Sequence, residues 1–392
     1  MHANGSAPLL NVGIIGAGRA GRSMIPAILK HDNCRFAGIA DRSDEVREDM
    51  RQNYQVAVYE DVEALCKNPG IDAVYIATPT HLHAEHVEIA ASHGKHIIVE
   101  KPIAISLDEA KKMICAVEKN GVKMMVGHSH GFDPVIRKIK EIVDSGRIGK
   151  LRMIHNWYFT DWMYRPRTFE ELQTEKGGGV TFRQGSHQFD IIRVIGGGLL
   201  QSVRADAGDW REERRGIGSH VAFLQFQNGA VATGVYSGYD HFNSAELTFH
   251  MGESGQVIDL KESYAKSRKK LKNAANAAME TDLKKMRAKE SIQGSHNHHF
   301  FGITLVSCEK GDIRQSPQGL FVYEDEKIEE IQIPLDMQGR DILIHEFYDL
   351  VVWDKPVIHD GKWGMANLEV CEVVIQSSKL KSEINLVHQV SG

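Results

Sequence analysis

The sequence predicts an α/β protein: an N-terminal, doubly wound parallel sheet, then a second α/β domain with an open, largely antiparallel sheet. Three observations carry this. Short β-branched runs alternate with helical patterns through the first third of the chain. A Gly16-x-Gly18-x-x-Gly21 turn follows the first such run. Beyond residue 150, strand-like runs follow one another, several joined by short Gly- or Ser-containing turns.

The elements follow in order. Residues 11–15 form an apolar strand and 19–30 an amphipathic helix. Strands are expected at 35–40, 72–77, 96–100 and 123–127, with a helix over 82–92. Such alternation implies right-handed crossovers, and strands this apolar expect helices on both faces. The pattern changes near residue 131. A helix over 133–145 ends at Gly146, and strands are expected at 151–159, 203–207, 220–226, 230–236, 245–251 and 256–260. Helical spacing returns over 364–380. The domains are therefore 1–130, which carries the glycine turn, and 131–392. A basic helical insertion at 261–295 interrupts the second. Its stretch 261–290 holds ten Lys/Arg against four Asp/Glu. It reads either as a solvated helix or as a patch for a polyanion.

Composition bounds the function. The chain has 392 residues, 42% hydrophobic and 25% charged, an ordinary globular balance. A net charge of −5 gives no electrostatic case for nucleic acid. No apolar run approaches the ~20 residues of a membrane span, and the start lacks a signal-peptide pattern. Five scattered cysteines without CxxC spacing fit reduced thiols in a cytoplasmic protein, with no disulfide scaffold or metal site.

Gly16, Gly18 and Gly21, with Arg19 and Ala20 between them, sit where a strand turns into a helix. Backbone there can approach a pyrophosphate, and the helix start offers free N–H groups and a positive dipole end. Asp41 ends the second strand about 20 residues on, where a carboxylate accepts from ribose hydroxyls. Its charge repels a 2′-phosphate and favours NAD; Arg42 beside it keeps NADP open. The loop Ala77-Thr78-Pro79-Thr80-His81-Leu82-His83 ends another strand at the sheet's carboxyl edge, placing Thr78, Pro79 and His83 along the cofactor. His81, His83 and His86 lack the carboxylate or cysteine a metal site needs. Glu100-Lys101-Pro102 ends the strand 96–100 and brings an ammonium group towards the nicotinamide.

These residues, with Gly177-Gly178-Gly179 and Gly185-x-His187-x-x-Asp190, resemble the Gfo/Idh/MocA family of oxidoreductases over most of the chain. The resemblance implies a Rossmann domain, a C-terminal open-sheet domain, oxidation of a secondary hydroxyl on sugars or cyclic polyols, and homodimers or homotetramers formed through that sheet. It makes Lys101 and His187 the catalytic pair. A free lysine, with pKa ~10.4, is too basic for the task, but burial and the positive nicotinamide favour its neutral form. Histidine titrates near neutrality and can shuttle the proton. Asp190, three residues on, shares its helix face and orients or caps.

One departure is informative. Where many members carry aspartate, four residues before the histidine, this chain has Arg183. An arginine cannot serve as a base, but it grips a carboxylate through two parallel hydrogen bonds, or else forms a structural salt bridge. The pattern around it, with residues 303–314, is similar to the branch holding phthalate cis-dihydrodiol dehydrogenases, and that branch also includes oxidases of sugar rings on plant glycosides. Trp162 and Tyr164 are further candidates for the substrate pocket, as ring-stackers or as sheet core, and so are His128 and His130, which follow the last strand of the first domain. His296-Asn297-His298-His299 reads as a loop rather than a metal site. The reading is an NAD(P)-dependent dehydrogenase of a ring CH–OH. Alternatives are a redox-neutral, NAD-dependent glycoside-cleaving enzyme and a non-catalytic nucleotide-sensing protein.

Overall fold

Six apolar runs become the parallel strands β1 (Leu10–Ile15), β2 (Cys34–Ala40), β3 (Ala57–Tyr59), β4 (Ala73–Ile76), β5 (His96–Glu100) and β6 (Met124–Gly127), ordered β3-β2-β1-β4-β5-β6. The computed structural model describes residues 7–214, 216–274, 279–284 and 297–392. The described residues divide into two units: those up to 127 together with 340–365, and those between 128 and 339 together with 366–392. Residues 340–365, which the sequence reading gave to the second domain, thus pack with the first. There Tyr348 Oη donates to Pro8 O at 2.6 Å, and Asp360 bridges to Met125.

In the first unit the central strands are buried on both faces; every residue of β4 and β6 is buried. The crossovers are α1 (Arg19–Lys30), α2 (Asp44–Tyr54), α3 (Val62–Cys66), α4 (His83–Ser92) and α5 (Leu107–Lys119). Side-chain caps set the starts of α2, α3 and α5: Ser43 accepts from Val46 N–H, Asp61 from Ala64 N–H and Ser106 from Glu109 N–H. Asp72 accepts from the backbone and side-chain amides of Asn11, both at 2.8 Å, which ties the start of β4 to β1.

The second unit holds a nine-stranded mixed sheet. Its strands are β7 (Leu151–Phe159), β8 (Leu200–Gly208), β9 (Ser219–Phe226), β10 (Val231–Ser237), β11 (Ile303–Cys308), β12 (Gly311–Ser316), β13 (Gly319–Tyr323), β14 (Ile328–Gln332) and β15 (Ile384–Asn385). The order is β14-β13-β12-β11-β7-β10-β9-β8-β15, with β7 and β10 parallel and the other pairs antiparallel. Helices α6 (Pro134–Asp144), α7 (Gly179–Arg183) and α8 (Gly185–Gly196) belong to this unit, and α8 packs on β7 and β10. Gly234 permits that approach: a Cβ there would sit 3.0 Å from the Phe189 ring. On the opposite face Met153, Trp157, Val221 and Phe223 are exposed, an open apolar face.

Two expected strands are absent. Residues 244–247 form a 3-10 turn capped by the Asn243 side chain on Ala245 N–H, and Phe249 and His250 have positive φ, which no strand accommodates. Residues 251 and 257 keep a single bridge, and Leu260–Ser263 is the short helix α9, followed by α10 (Lys266–Lys272). The insertion is described only in part. Residues 279–284 are helical, and Glu280 is buried, accepting from Arg167 N–H at 2.6 Å and from Arg214 Nη1 at 2.8 Å. An acidic side chain thus pins this largely basic segment to the fold, which neither sequence reading of it foresaw. Among the described residues no helix is long and apolar enough to cross a membrane.

Candidate active site

In the first unit the register brings one row of residues to the sheet's carboxyl edge. Ala40, Ile15, Ile76, Val99 and Val126 are mutual neighbours across five strands. Just beyond that row lie Asp41, Gly16, Ala77, Glu100 and Gly127, so the glycine turn, the Thr78 loop and Lys101 share one edge. Gly16 has φ +88°, and a Cβ there would meet Thr78 Cγ2 at 3.0 Å. A Cβ on Gly21 would lie 2.2 Å from Gly16 O, so helix and turn can close only without one. Gly18 differs: it is exposed, and its Cβ would meet nothing within 4 Å. It caps α1 without any side-chain hydrogen bond, and at the helix start Arg19 is exposed and Ala20 half-buried. These features fit a dinucleotide pyrophosphate.

The remaining cofactor candidates divide. Asp41 braces the turn: Oδ2 accepts from Ala17 N–H and Oδ1 from Ser43 N–H, both at 2.9 Å. Arg42 and Pro79 are exposed, and Thr78 Oγ1 lies 2.9 Å from His86 Nδ1. His83 does not line the edge. It is buried, with Nε2 3.0 Å from Thr78 O and Nδ1 3.0 Å from Pro102 O, so it clamps the Thr78 loop to the Lys101-Pro102 loop. Burial lowers its pKa and keeps the clamp neutral. Glu100 is held on its Oε1 by the buried Tyr75 hydroxyl and on its Oε2 by Lys101 N–H at 3.2 Å. Lys101 is half-buried.

In the second unit every residue of α8 is buried, including His187, Gln188, Asp190 and Arg193. Gln188 explains how a polar helix sits inside. Its Nε2 donates to Asn156 O at 2.9 Å, Asn156 Oδ1 at 2.7 Å and Val235 O at 3.1 Å, and its Oε1 meets His220 Nε2 at 2.7 Å. Burial pushes His220 down to about 3, so it stays neutral. This bracket fixes His187 one residue away.

Around His187 the structure gathers residues that no local motif links. Its ring meets His130 edge-to-face at 4.7 Å and Phe301 at 5.5 Å. Phe301 also touches His130 and Tyr158, each at 5.0 Å. Asp133 Oδ2 lies 2.9 Å from His130 Nδ1, Asp133 Oδ1 lies 2.9 Å from His299 Nδ1, and Glu253 Oε1 lies 3.7 Å from His130 Nε2. Burial alone would lower the His130 pKa, but Asp133 and Glu253 outweigh it and raise it to about 9. Burial pushes Asp133 up, yet His299 and His130 hold it well below the carboxylate range. Among the described residues, His130, Asp133 and His299 are the one His/Cys/Asp/Glu group with metal-ligand spacing. Asp133 lies within hydrogen-bond length of both imidazoles, whose ring centres stand 5.9 Å apart. His298, next to His299, points elsewhere, with Nε2 3.0 Å from Ile333 O, and His296 lies outside the described residues. Of these, His130 is legible in the sequence, in the Gly127-His128-Ser129-His130 run at the end of β6; Asp133, Glu253 and Phe301 carry no local signal of a place beside His187.

Arg183, on α7, has Nη2 3.3 Å from Glu171 Oε1, the salt-bridge alternative. It does not act alone: Arg167 Nη1 is 4.0 Å and Lys284 Nζ 2.7 Å from the same buried carboxylate. Burial would raise Glu171, but Arg183, Arg167 and Lys284 together lower it. Lys284 belongs to the basic insertion. Trp162 is fully buried with the Arg167 guanidinium 3.8 Å above its ring, so it packs the core and offers no stacking face. Tyr164 is buried too, and His128 is buried at the start of the second unit.

Comparison with known proteins follows this geometry. Residues 10–128 match the model "Oxidoreductase family, NAD-binding Rossmann fold", and 136–257 match "GFO/IDH/MocA C-terminal domain". The chain is 34% identical, over 94% of its length and 95% of the relative's, to 1-carboxy-3-chloro-3,4-dihydroxycyclohexa-1,5-diene dehydrogenase from Comamonas testosteroni. It is 31% identical to scyllo-inositol 2-dehydrogenase (NAD(+)) of Bacillus subtilis, over 51% of this chain and 58% of that one. A crystal structure from Bordetella bronchiseptica superposes with TM-score 0.90 at 37% identity, covering 96% of this chain and all of that one. Levoglucosan dehydrogenase in complex with NADH shares the fold, with TM-score 0.75 at 19% identity over 96% of this chain and 99% of that one.

Proposed function

The chain belongs to the Gfo/Idh/MocA oxidoreductase family, and from that premise we propose that it is a dehydrogenase oxidising a secondary hydroxyl on a carboxylated ring, such as a cis-dihydrodiol. The observation that carries this reading is Lys101, one residue past the end of β5 on the edge that holds the glycine turn. Bound NAD supplies a hydride acceptor. Gly16, Gly18, Gly21 and the start of α1 hold its pyrophosphate; Asp41, Arg42, Thr78 and Pro79 flank it. Lys101 holds the reacting oxygen and takes its proton when neutral, as burial beside an oxidised nicotinamide favours. His187 is the second proton-handling group, and Asp190 orients it from the same helix. The substrate's carbon–hydrogen bond breaks with its electron pair, and the hydroxyl proton leaves through these groups.

Arg183 supports the carboxylated class. With Arg167 and Lys284 it forms a cationic corner whose protein anion, Glu171, orients the guanidinium. The relative from Comamonas testosteroni is named for a ring carrying both a carboxyl and a vicinal diol. Replacing Arg183→Ala should raise KM for acidic substrates far more than for neutral ones; equal effects would sink the assignment. The open apolar sheet face with Met153, Trp157, Val221 and Phe223 supports a homodimer or homotetramer. Phe223→Asp should lower the mass seen by light scattering.

A further inference from the structure

Asp133 occupies the N-cap position of α6, yet its side chain makes no cap hydrogen bond. An aspartate there would ordinarily bond the amides of the first turn. This one is buried, and its two oxygens meet two imidazoles instead, His130 and His299. A carboxylate removed from water in this way is costly unless a positive partner is held beside it. The groups facing His130 are Asp133 from the start of α6, Glu253 from the loop after the 3-10 turn, His299 and Phe301 from the segment before β11, and His187 from α8. Of these neighbours, His187 alone belongs to the proposed chemistry.

We propose that Asp133 is a positioning residue that holds His130 as an imidazolium edge-on to His187, so that His187 is kept in the neutral form that accepts the substrate proton. This rests on the reading of His187 as a proton-handling group. A positive charge 4.7 Å from a second imidazole, ring centre to ring centre, opposes protonation of that second ring. Phe301 lies against both rings and keeps water from screening the pair. His130 retains its proton up to about pH 9, so the arrangement persists through the neutral range. His299 steadies the second carboxylate oxygen.

The test is the pH profile of kcat/KM for Asp133→Asn, in the presence of saturating NAD. Without the Asp133 carboxylate, His130 keeps only Glu253, 3.7 Å away, and holds its proton less firmly, which weakens the charge facing His187. The acidic limb should then move up by about one pH unit, with roughly 10-fold lower kcat/KM on that limb and little change above it. His130→Gln, which also removes the cation, should shift the limb the same way and serves if Asp133→Asn folds poorly. A rate lowered equally at every pH by both variants, with no shift, would overturn the proposal. Histidine NMR separates this outcome from failure of the underlying reading. If His187→Gln is fully active, His187 is not the proton acceptor; the proposal then falls as stated, but a raised His187 titration in Asp133→Asn would still establish the coupling. An unchanged His187 titration would remove the coupling too. Tight uptake of Zn²⁺ by the wild-type protein, abolished by His299→Gln, would also overturn it, since a metal would then claim the carboxylate.

Discussion

The two units build their candidate chemistry in opposite ways. At the carboxyl edge of the parallel sheet the candidate cofactor site is mainly backbone, a glycine turn and a helix start without a side-chain cap, joined by the Lys101 side chain one residue past a strand. In the second unit the candidate groups are side chains from several separate segments, with Asp133, His187, Glu253, His299 and Phe301 meeting around His130. A backbone site demands particular residue types at fixed local spacing, because only glycine tolerates the φ of Gly16 or the closeness of Gly21. A side-chain site demands only that the tertiary fold bring the groups together. The first is therefore vulnerable to single added atoms, the second to the loss of single partners.

That contrast can be broken in order of expected effect. Lys101→Met removes the one side chain on which the chemistry proposed for the first unit turns. It should lower kcat by ~10²–10⁴-fold while leaving NAD affinity, followed by fluorescence titration, nearly unchanged. A large fall in cofactor affinity would make Lys101 a binding residue instead. Asp133→Asn strips one partner from a buried pair and should cost ~3–5 kcal/mol in denaturant unfolding near pH 6. The sign of its pH dependence follows from His130, whose folded pKa of about 9 stands above its ordinary 6.5. The pair's contribution is full below pH 6.5 and fades as pH rises through 9, so the gap between wild type and variant should narrow across that window. On the acid side the depressed Asp133 contributes above its ordinary pKa and loses that contribution as pH falls.

Smaller effects sharpen the same comparison. Gln188→Leu leaves Asn156 and His220 without their bridging amide, and should cost about 1–3 kcal/mol with no change in NAD affinity. Gly18→Ala adds a Cβ that meets no protein atom, so Tm should hold while NAD affinity falls roughly 10-fold, ~1.4 kcal/mol. Gly21→Ala, whose Cβ would overlap Gly16 O, should lower Tm as well. If the two alanines behave alike, the backbone account of the first site is wrong.

The same contrast explains what the sequence made legible. Strands β1, β2, β4, β5 and β6 announce themselves as apolar runs, and the glycine turn and Lys101 follow from local spacing. β7 to β10 were visible as alternating runs. β11 to β14 were not, since they are short, polar on one side and preceded by the insertion. Residues 245–251 look strand-like by composition, but an asparagine cap and two positive-φ residues turn the chain. His83 and Trp162 carried the right residue type in the right neighbourhood, yet tertiary packing spends one on carbonyls and covers the other with Arg167. Asp133 opens the expected helix 133–145, and only the structure shows that its oxygens meet His130 and His299.

The most direct test of the central claim is cofactor stoichiometry on a carboxylated cis-dihydrodiol. The account predicts one NADH formed for each ring oxidised, with turnover lost in Lys101→Met. Product formed with no net NADH would contradict it and identify a redox-neutral enzyme instead.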